Sequence, residues 1–352
     1  MQIIRTSDRG AFKRCRRSWD LGSKIRQNYV IKGPVPKPLD FGTAIHRGME
    51  SWYNPLQWEW DRELRKTLSV AAFLECQREQ KARYLAEMPD MDEELRKDFN
   101  ERTELGTGML QHYFHWSANM DQFIPKMVEI EFEVPIPGLE GTYAEGAVYQ
   151  GRVDALMEDL KGRYWIWDHK TTARMDPTAH LELDEQCGSY AWALQLMLGI
   201  PIEGVVYNEL YKGVPGPPTV LKNGNFSKSK SQDTSYELYF QALMERFEYI
   251  PDEYADILET FRLKGNEYFR RTQVHRSSEE LRTQGERIRL EALDMLDPNI
   301  RIYPNPTKFN CQNCMFRTPC IAMNDGSDVK WILAENYKVR TDDNDRPPVS
   351  PE

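Results

Sequence analysis

The chain has 352 residues, 40% hydrophobic and 29% charged, which is long and apolar enough to bury a substantial core. Its formal net charge of −9 excludes the chain-wide basic excess that usually marks a nucleic-acid-binding protein. No apolar run reaches the roughly 18 to 20 residues that cross a bilayer, and the N-terminus lacks the apolar segment of a secretory signal. We therefore expect a cytoplasmic protein without a membrane anchor.

Positive charge is concentrated near the N-terminus. Eight basic residues lie between positions 5 and 26, against two aspartates: Arg5, Arg9, Lys13, Arg14, Arg16, Arg17, Lys24 and Arg26. Such a segment can follow a phosphate backbone, and Arg14, Arg16 and Arg17 are the candidates for DNA contacts. The alternative is a solvated helix face, since residues 7 to 30 are predicted to be helical.

Helical patterns continue to about residue 120. The proline-rich stretch "KGPVPKP" at 32 to 38 predicts a connector, and "LDFGTAIHRGMESWY" after it has apolar residues at helical spacing. Residues 58 to 120 are charged, with apolar positions three and four residues apart. They predict a long helical insertion.

The period changes to strict alternation at residue 127. In "MVEIEFEVPI", Glu129, Glu131 and Glu133 share one face of a predicted half-buried strand. We interpret this glutamate row as a solvated face.

Three further strands are predicted, at about 143 to 157, 163 to 170 and 204 to 212. A helix, "LDEQCGSYAWALQLMLGI", separates the last two and ends at Gly199. The order of strand, strand, strand, helix, strand predicts an α/β fold with a mixed central sheet and a crossover helix, over residues 127 to 212.

The C-terminal third is less regular. Residues 213 to 236 predict a flexible basic loop, followed by helices to about residue 297. A cysteine motif occupies 300 to 322. We expect one domain over residues 1 to 325 and a partly disordered extension over 326 to 352.

The segment "GRVDALMEDLKGRYWIWDHKTT", residues 151 to 172, carries the chemistry. Strand alternation places Asp168 and Lys170 on one face and His169 on the other, and the turn-like "EDLKGR" brings Asp154 back toward Asp168. Two converging carboxylates repel unless a cation lies between them, and oxygen ligands suit Mg²⁺ or Mn²⁺. With Lys170 beside the metal, this arrangement suits phosphodiester hydrolysis. The alternative is a surface hairpin with an Asp-Lys ion pair.

The cysteines give an independent signal. Cys311, Cys314 and Cys320 in "CQNCMFRTPC" have a compact spacing typical of thiolate ligands, which leaves a fourth position for Cys15. The other two, Cys76 and Cys187, are interpreted as small buried apolar residues. Ligand type alone allows Zn²⁺, which is the default, or an iron-sulfur cluster.

Together these motifs resemble the RecB-like branch of the PD-(D/E)XK nuclease superfamily. "GRVDAL" and "WIWDHKT" resemble its metal-binding hairpin, "FGTAIH" its upstream helical motif and "QCGSY" its Gln-x-x-x-Tyr element. The resemblance implies a restriction-endonuclease-like sheet and a defined active site. Its implied metal ligands are Asp154, Asp168, His46 and the main-chain carbonyl of His169; its other active-site residues are Lys170, Gln186 and Tyr190. Some members also use an upstream strand acid, which would be Glu131 here, as the alternative to a solvated glutamate row.

One cysteine upstream and three near the C-terminus resemble the iron-sulfur nuclease group, which includes CRISPR-associated and phage exonucleases. This implies a structural 4Fe-4S cluster on Cys15, Cys311, Cys314 and Cys320 that joins the two ends of the domain, with Zn²⁺ as the alternative. The basic segment from 5 to 26 would then lie near the sheet.

The predicted function is a metal-dependent DNA exonuclease acting on single strands or duplex ends. No GxxxxGKS or GxxxxGKT loop is present, so any helicase motor of that type would be a separate partner, in recombination for example. Two alternatives stay open. One is a silent or partner-dependent DNA-end binding module in recombination or CRISPR adaptation, and the other is a restriction-type endonuclease.

Overall fold

The computed structural model describes residues 2–33, 37–87, 93–120 and 122–340. In chain order the strands are β1 (Ile3–Arg5), β2 (Tyr29–Ile31), β3 (Phe123–Pro135), β4 (Val148–Asp159), β5 (Tyr164–Thr172), β6 (Ile202–Tyr211), β7 (Phe269–His275) and β8 (Tyr337–Val339). The α-helices are α1 (Thr6–Arg14), α2 (Arg16–Gly22), α3 (Lys37–Trp52), α4 (Arg62–Glu87), α5 (Glu93–Met120), α6 (Glu185–Leu198), α7 (Tyr236–Phe247), α8 (Ala255–Lys264), α9 (Ser278–Leu296), α10 (Lys308–Gln312), α11 (Arg317–Asp325) and α12 (Val329–Asn336).

A six-stranded mixed sheet forms the centre of the fold. Its order is β1-β4-β5-β6-β7, and β3 pairs with the other edge of β4. Strands β3, β4 and β5 are antiparallel neighbours, whereas α6 crosses over so that β6 lies parallel to β5. The helix ends at Gly199, whose φ of 67° is the left-handed conformation that glycine adopts without strain. The predicted mixed sheet with a crossover helix is confirmed.

Each face of the sheet packs against helices. On one face, Ile166 of β5 contacts a core that includes Ala191 of α6 and Ile288 of α9. On the other face, Trp165 and Trp167 contact a core built from α3, α4 and α5. Successive side chains of β5 therefore pack into opposite cores, so this strand contributes to both.

The sequence predicts that residues 7 to 30 are helical. The structure instead divides this range into two short helices and a strand. Cys15 is extended, with φ of −163°, and separates α1 from α2. Tyr29–Ile31 forms β2, which pairs with β8 at the other end of the described chain. Gly22 of α2 lies against Phe316, so the N-terminal and C-terminal segments of the described residues are in contact.

The C-terminal third also departs from the prediction. Residues 269 to 275 form the edge strand β7, which pairs antiparallel with β6, where helix was expected. Residues 213 to 235 contain neither a helix nor a strand, but Phe226 is buried in a small core with Tyr239 of α7. Residues 34–36 of the predicted connector and 341–352 of the predicted disordered tail lie outside the described residues.

None of the helices in the described residues is long and apolar enough to cross a membrane.

Candidate active site

The site lies where β4 loses its sheet partners along one edge. Residues 148 to 150 pair with β1 and 155 to 158 pair with β5, which leaves 151 to 154 between them unpaired on this edge. The His169 main-chain N–H of β5 has no main-chain partner on β4. It donates instead to the Asp154 carboxylate, at 2.7 Å from Oδ2. A strand residue turns its N–H and C=O toward the same neighbour, so the His169 carbonyl faces this gap.

Three potential metal ligands meet beside the gap. The ligand atoms of His46 on α3, Glu129 on β3 and Asp154 on β4 lie within 4.8 Å of one another. His46 Nδ1 is 3.4 Å from Asp154 Oδ1. Glu129 stands opposite Asp154, between the register pairs Val128/Ala155 and Ile130/Val153. No other such group of histidine, cysteine or acidic side chains occurs in the part of the chain that the structure describes.

Glu129 was missed by the sequence interpretation, which placed the whole glutamate row on a solvated face and offered only Glu131 as an alternative site residue. Glu131 and Glu133 are indeed exposed, but Glu129 is half-buried and in the cluster. Its φ of 48° is unusual for a residue other than glycine and departs from extended strand geometry. A regular alternation does not predict this local turn of the backbone.

The carboxylates of the cluster have cationic neighbours, and Arg152 Nε lies 2.9 Å from Glu129 Oε2, but burial still raises the pKa of two of them. Burial and the neighbouring Asp154 carboxylate raise the pKa of Glu129 to about 7. Burial also raises the pKa of Asp168, despite the nearby Lys170 ammonium group. Asp168 Oδ2 is buried and accepts no hydrogen bond in the described residues. Hard carboxylate oxygen ligands together with one imidazole fit Mg²⁺ or Mn²⁺.

The histidine of the cluster favours its charged form. Burial opposes protonation of His46, but the Asp154 carboxylate outweighs it and raises the pKa of His46 to about 9. The His46 charge in turn lowers the pKa of Asp154, although burial acts the other way. A proton on His46 therefore supplies part of the positive charge that these carboxylates need.

Lys170 projects beside the cluster. Its Nζ atom is 3.3 Å from Asp168 Oδ2 and 3.4 Å from Gln186 Oε1. Burial disfavours the charged form, but the Asp168 carboxylate outweighs it and raises the Lys170 pKa. Lys170 is therefore a cation at neutral pH. It is suited to stabilising negative charge rather than to removing a proton.

Gln186 and Tyr190 form the wall next to Lys170. They lie one turn apart on α6, and the Gln186 Nε2 atom donates to the Tyr190 hydroxyl at 3.3 Å. A Cβ atom at Gly151 would lie 2.5 Å from the Phe132 ring and 3.0 Å from the Tyr190 ring. The glycine of "GRVDAL" thus allows the tyrosine to pack onto β4.

His169 places its ring on the opposite face from Lys170, as the alternation predicts. The ring stacks on Tyr53 with centroids 5.8 Å apart, and its Nδ1 atom is 2.9 Å from Asn208 Nδ2. Burial lowers the pKa of His169 to about 3, so the ring is neutral.

The predicted cysteine ligands lie where the two ends of the chain meet. The Cys15 sulfur accepts the Asn305 main-chain N–H at 3.4 Å, and the Cys320 sulfur accepts from Arg17 Nη1 at 3.4 Å. Cys314 Sγ is 3.9 Å from Ser18 Oγ. However, no three cysteine sulfurs in the described residues lie within 4.8 Å of one another, so the structure does not show a four-cysteine site. Cys76 and Cys187 are buried, as predicted.

The predicted DNA-binding arginines differ in their surroundings. Arg14 is exposed at the end of α1. The Arg16 guanidinium lies over the rings of Phe12 and Tyr303, at 5.0 and 5.2 Å. The Arg17 guanidinium donates to Asn324 Oδ1 at 2.8 Å as well as to the Cys320 sulfur. Arg14 therefore has the most accessible charge of the three.

The family model of the PD-(D/E)XK nuclease superfamily matches residues 7–321. The chain belongs to this superfamily, and is therefore a metal-dependent nuclease with the α/β fold that the sequence predicts. The solved crystal structure of SSO0001 is similar at 16% identity, covering 69% of this chain and 81% of that chain, with a TM-score of 0.29. Among curated proteins, none matches the chain.

Proposed function

We propose that the chain is a Mg²⁺- or Mn²⁺-dependent deoxyribonuclease of the RecB-like branch that acts as an exonuclease on single-stranded DNA or duplex ends. The observation that carries the proposal is the cluster of His46, Glu129 and Asp154 beside the Asp168-Lys170 pair. Potential ligands and the half-buried ammonium group of Lys170, paired with Asp168, thus surround one gap in the sheet.

The side chains have distinct roles in this proposal. A divalent cation held by His46, Glu129, Asp154, Asp168 and the His169 carbonyl would polarise a phosphate oxygen and acidify a water molecule. Protonated Lys170 donates hydrogen bonds to oxygens on which negative charge develops. Gln186 accepts from Lys170 and donates to Tyr190, so it keeps the ammonium group and the phenol oriented toward the substrate.

The surroundings of β5 support action at a DNA end. Just beyond the site, the Lys212 main-chain N–H donates to the Thr172 carbonyl at 2.8 Å, and its ammonium group lies over Phe41 of α3. A Cβ atom at Gly108 of α5 would lie 2.8 Å from Val214. Helices α3 and α5 therefore both contact the segment after β6. We propose that they close one flank of the site, which suits a strand end because an end needs only one open flank.

The test compares circular single-stranded DNA with the same molecule linearised, each with Mg²⁺, Mn²⁺ or EDTA. We expect metal-dependent degradation of the linear form alone, because an exonuclease needs an end. Cleavage of the circle would instead favour the restriction-type endonuclease. Binding to ends without cleavage under any condition would favour the partner-dependent binding module.

We also propose a structural 4Fe-4S cluster on Cys15, Cys311, Cys314 and Cys320. Contacts between α1 or α2 and the C-terminal segment support it, because three of these sulfurs take part in them. A single tetrahedral zinc ion, with Zn–S bonds of about 2.3 Å, needs sulfurs roughly 3.8 Å apart. A cluster holds each thiolate on a separate iron atom and spaces them more widely. The choice of iron over zinc rests on the resemblance to the iron-sulfur nuclease group.

Protein purified without oxygen is expected to be brown and to contain about four iron atoms per chain. The Cys311→Ser variant should lose most of this iron, whereas Cys76→Ala should retain it, because Cys76 is buried within the α3-α4-α5 core. Metal analysis and visible absorbance check both variants. A colourless protein containing zinc would support the zinc alternative and contradict the cluster.

A further inference from the structure

A buried polar network lies behind the catalytic strand, on the face that His169 enters. Asn208 Nδ2 is 2.9 Å from His169 Nδ1, and Asn208 Oδ1 accepts from the Tyr113 hydroxyl at 3.1 Å and from Arg271 Nε at 3.3 Å. Arg271 Nη2 donates to the Tyr53 hydroxyl at 2.8 Å. None of these contacts involves the potential metal ligands' side chains.

The hydrogen-bond donors of the network determine how the Asn208 amide is oriented. A guanidinium group only donates, so the Asn208 oxygen must face Arg271 and the Asn208 NH₂ group must face His169. The His169 Nδ1 atom is then an acceptor, and the ring proton is on Nε2. Arg271 thus determines the tautomer and orientation of the imidazole through one intervening amide.

The network is rigid because it is enclosed. Asn208 and Tyr113 are fully buried and His169 is 4% exposed. The Arg271 guanidinium lies 4.6 Å from the Trp167 ring centroid and 5.0 Å from that of Trp116. Tyr53, the residue after α3, and Asn208 of β6 therefore contact the His169 ring directly. Tyr113 of α5 and Arg271 of β7 in turn hold Asn208.

His169 is also the residue whose main chain faces the gap in the sheet. Its N–H holds the Asp154 carboxylate, and β4 supplies no ladder bonds to β5 at this position. On the β4 side, the backbone at His169 is therefore fixed by a carboxylate that itself belongs to the cluster. The buried imidazole supplies an anchor that does not depend on that carboxylate.

We propose that Asn208 and Arg271 are positioning residues for metal binding. By holding the His169 ring, they keep the main-chain N–H of His169 on Asp154 and its main-chain carbonyl toward the gap. This inference rests on the proposed metal-dependent function. Groups that orient metal ligands without touching the metal typically contribute about 10- to 100-fold to metal affinity or activity.

The test is direct Mn²⁺ binding, measured by electron paramagnetic resonance of free Mn²⁺ without DNA. Asn208→Leu removes the contact to His169 while keeping a buried side chain of similar size, and Arg271→Met acts one step further away. Both are expected to weaken Mn²⁺ binding by about tenfold or more. Val206→Ala is the matched control, since Val206 is buried two residues earlier on the same face of β6.

The possible outcomes distinguish failure of this inference from failure of the proposed function. Weaker binding by both variants, with circular dichroism like that of the wild type and with unchanged binding by Val206→Ala, supports the inference. Wild-type affinity in folded Asn208→Leu and Arg271→Met would overturn it and leave the proposed function intact. A Val206→Ala variant that loses as much affinity would reduce the network to a general stability effect, which also overturns it. A wild-type protein that binds no Mn²⁺ would overturn both proposals.

Discussion

Replacing Lys170 with methionine is expected to lower the rate of DNA cleavage by about 10²- to 10³-fold. Methionine keeps most of the aliphatic stem but removes the ammonium group that lies between Asp168 and Gln186. Because Lys170 stays protonated, its loss removes positive charge from the place where a phosphate would become more negative. Single-turnover cleavage of end-labelled single-stranded DNA measures the effect.

Lys126→Met is the matched control for this experiment. Lys126 is on β3, pairs with Glu158 and lies outside the site. The rate of DNA cleavage by Lys126→Met should therefore stay within about twofold of the wild type. Lys170 is not proposed as a metal ligand, and Mn²⁺ binding by Lys170→Met should therefore be retained. A Lys170→Met rate within about threefold of the wild type would contradict the assigned role.

Replacing Glu129 with glutamine is expected to produce the second large effect, a loss of about 10²-fold in cleavage and a clear loss of Mn²⁺ affinity. Glutamine preserves the shape of the side chain but removes one of the charged ligands of the cluster. Glu131→Gln is the control, because Glu131 lies two positions away on the same strand and is exposed. It should behave like the wild type.

The same pair of variants should differ in thermal stability. The folded-state pKa of Glu129 is raised from 4.5 to about 7, so its ionised form is disfavoured by folding. The free energy of unfolding therefore begins to fall as pH rises above 4.5, and this loss reaches its full size above about pH 7. At pH 8 in EDTA, Glu129→Gln should therefore melt above the wild type, and Mn²⁺ should stabilise it less. Equal melting temperatures in EDTA and equal stabilisation by Mn²⁺ would contradict this placement of Glu129.

The central sheet was predictable because its strands are long enough to show alternation. Strands β3 to β6 and helix α6 each carry a clear period, and Gly199 marks where the helix ends. By contrast, β1, β2 and β8 have three residues each, which is too short for a period. Their positions depend on partners more than a hundred residues away.

Strand β7 was missed because its sequence, "FRRTQVH", carries two adjacent arginines. Their partners lie on β6: Arg270 pairs with Glu209, and Arg271 contacts Asn208. Tertiary contacts therefore compensate for charges that look unfavourable in a strand. No local pattern links these residues to β6, so the positioning network was invisible in the sequence.

The candidate site was only partly predictable for the same reason. Residue spacing and the family resemblance brought His46, Asp154, Asp168, Lys170, Gln186 and Tyr190 into consideration, and the structure places them around one gap. The position of Glu129 depends on the β3-β4 register and on a positive φ angle. The spacing of Cys311, Cys314 and Cys320 indicated three ligands, whereas Cys15 became the candidate fourth because the other two cysteines were interpreted as buried apolar residues. Cys15 contacts the C-terminal segment only in three dimensions.

The most direct test of this account is anomalous diffraction from crystals soaked in Mn²⁺, because it locates the ion without relying on activity. We expect an anomalous peak among the side chains of His46, Glu129 and Asp154. The peak should weaken or disappear in Glu129→Gln. Ordered side chains with no peak among them, at Mn²⁺ concentrations that support DNA cleavage, would contradict the proposed active site.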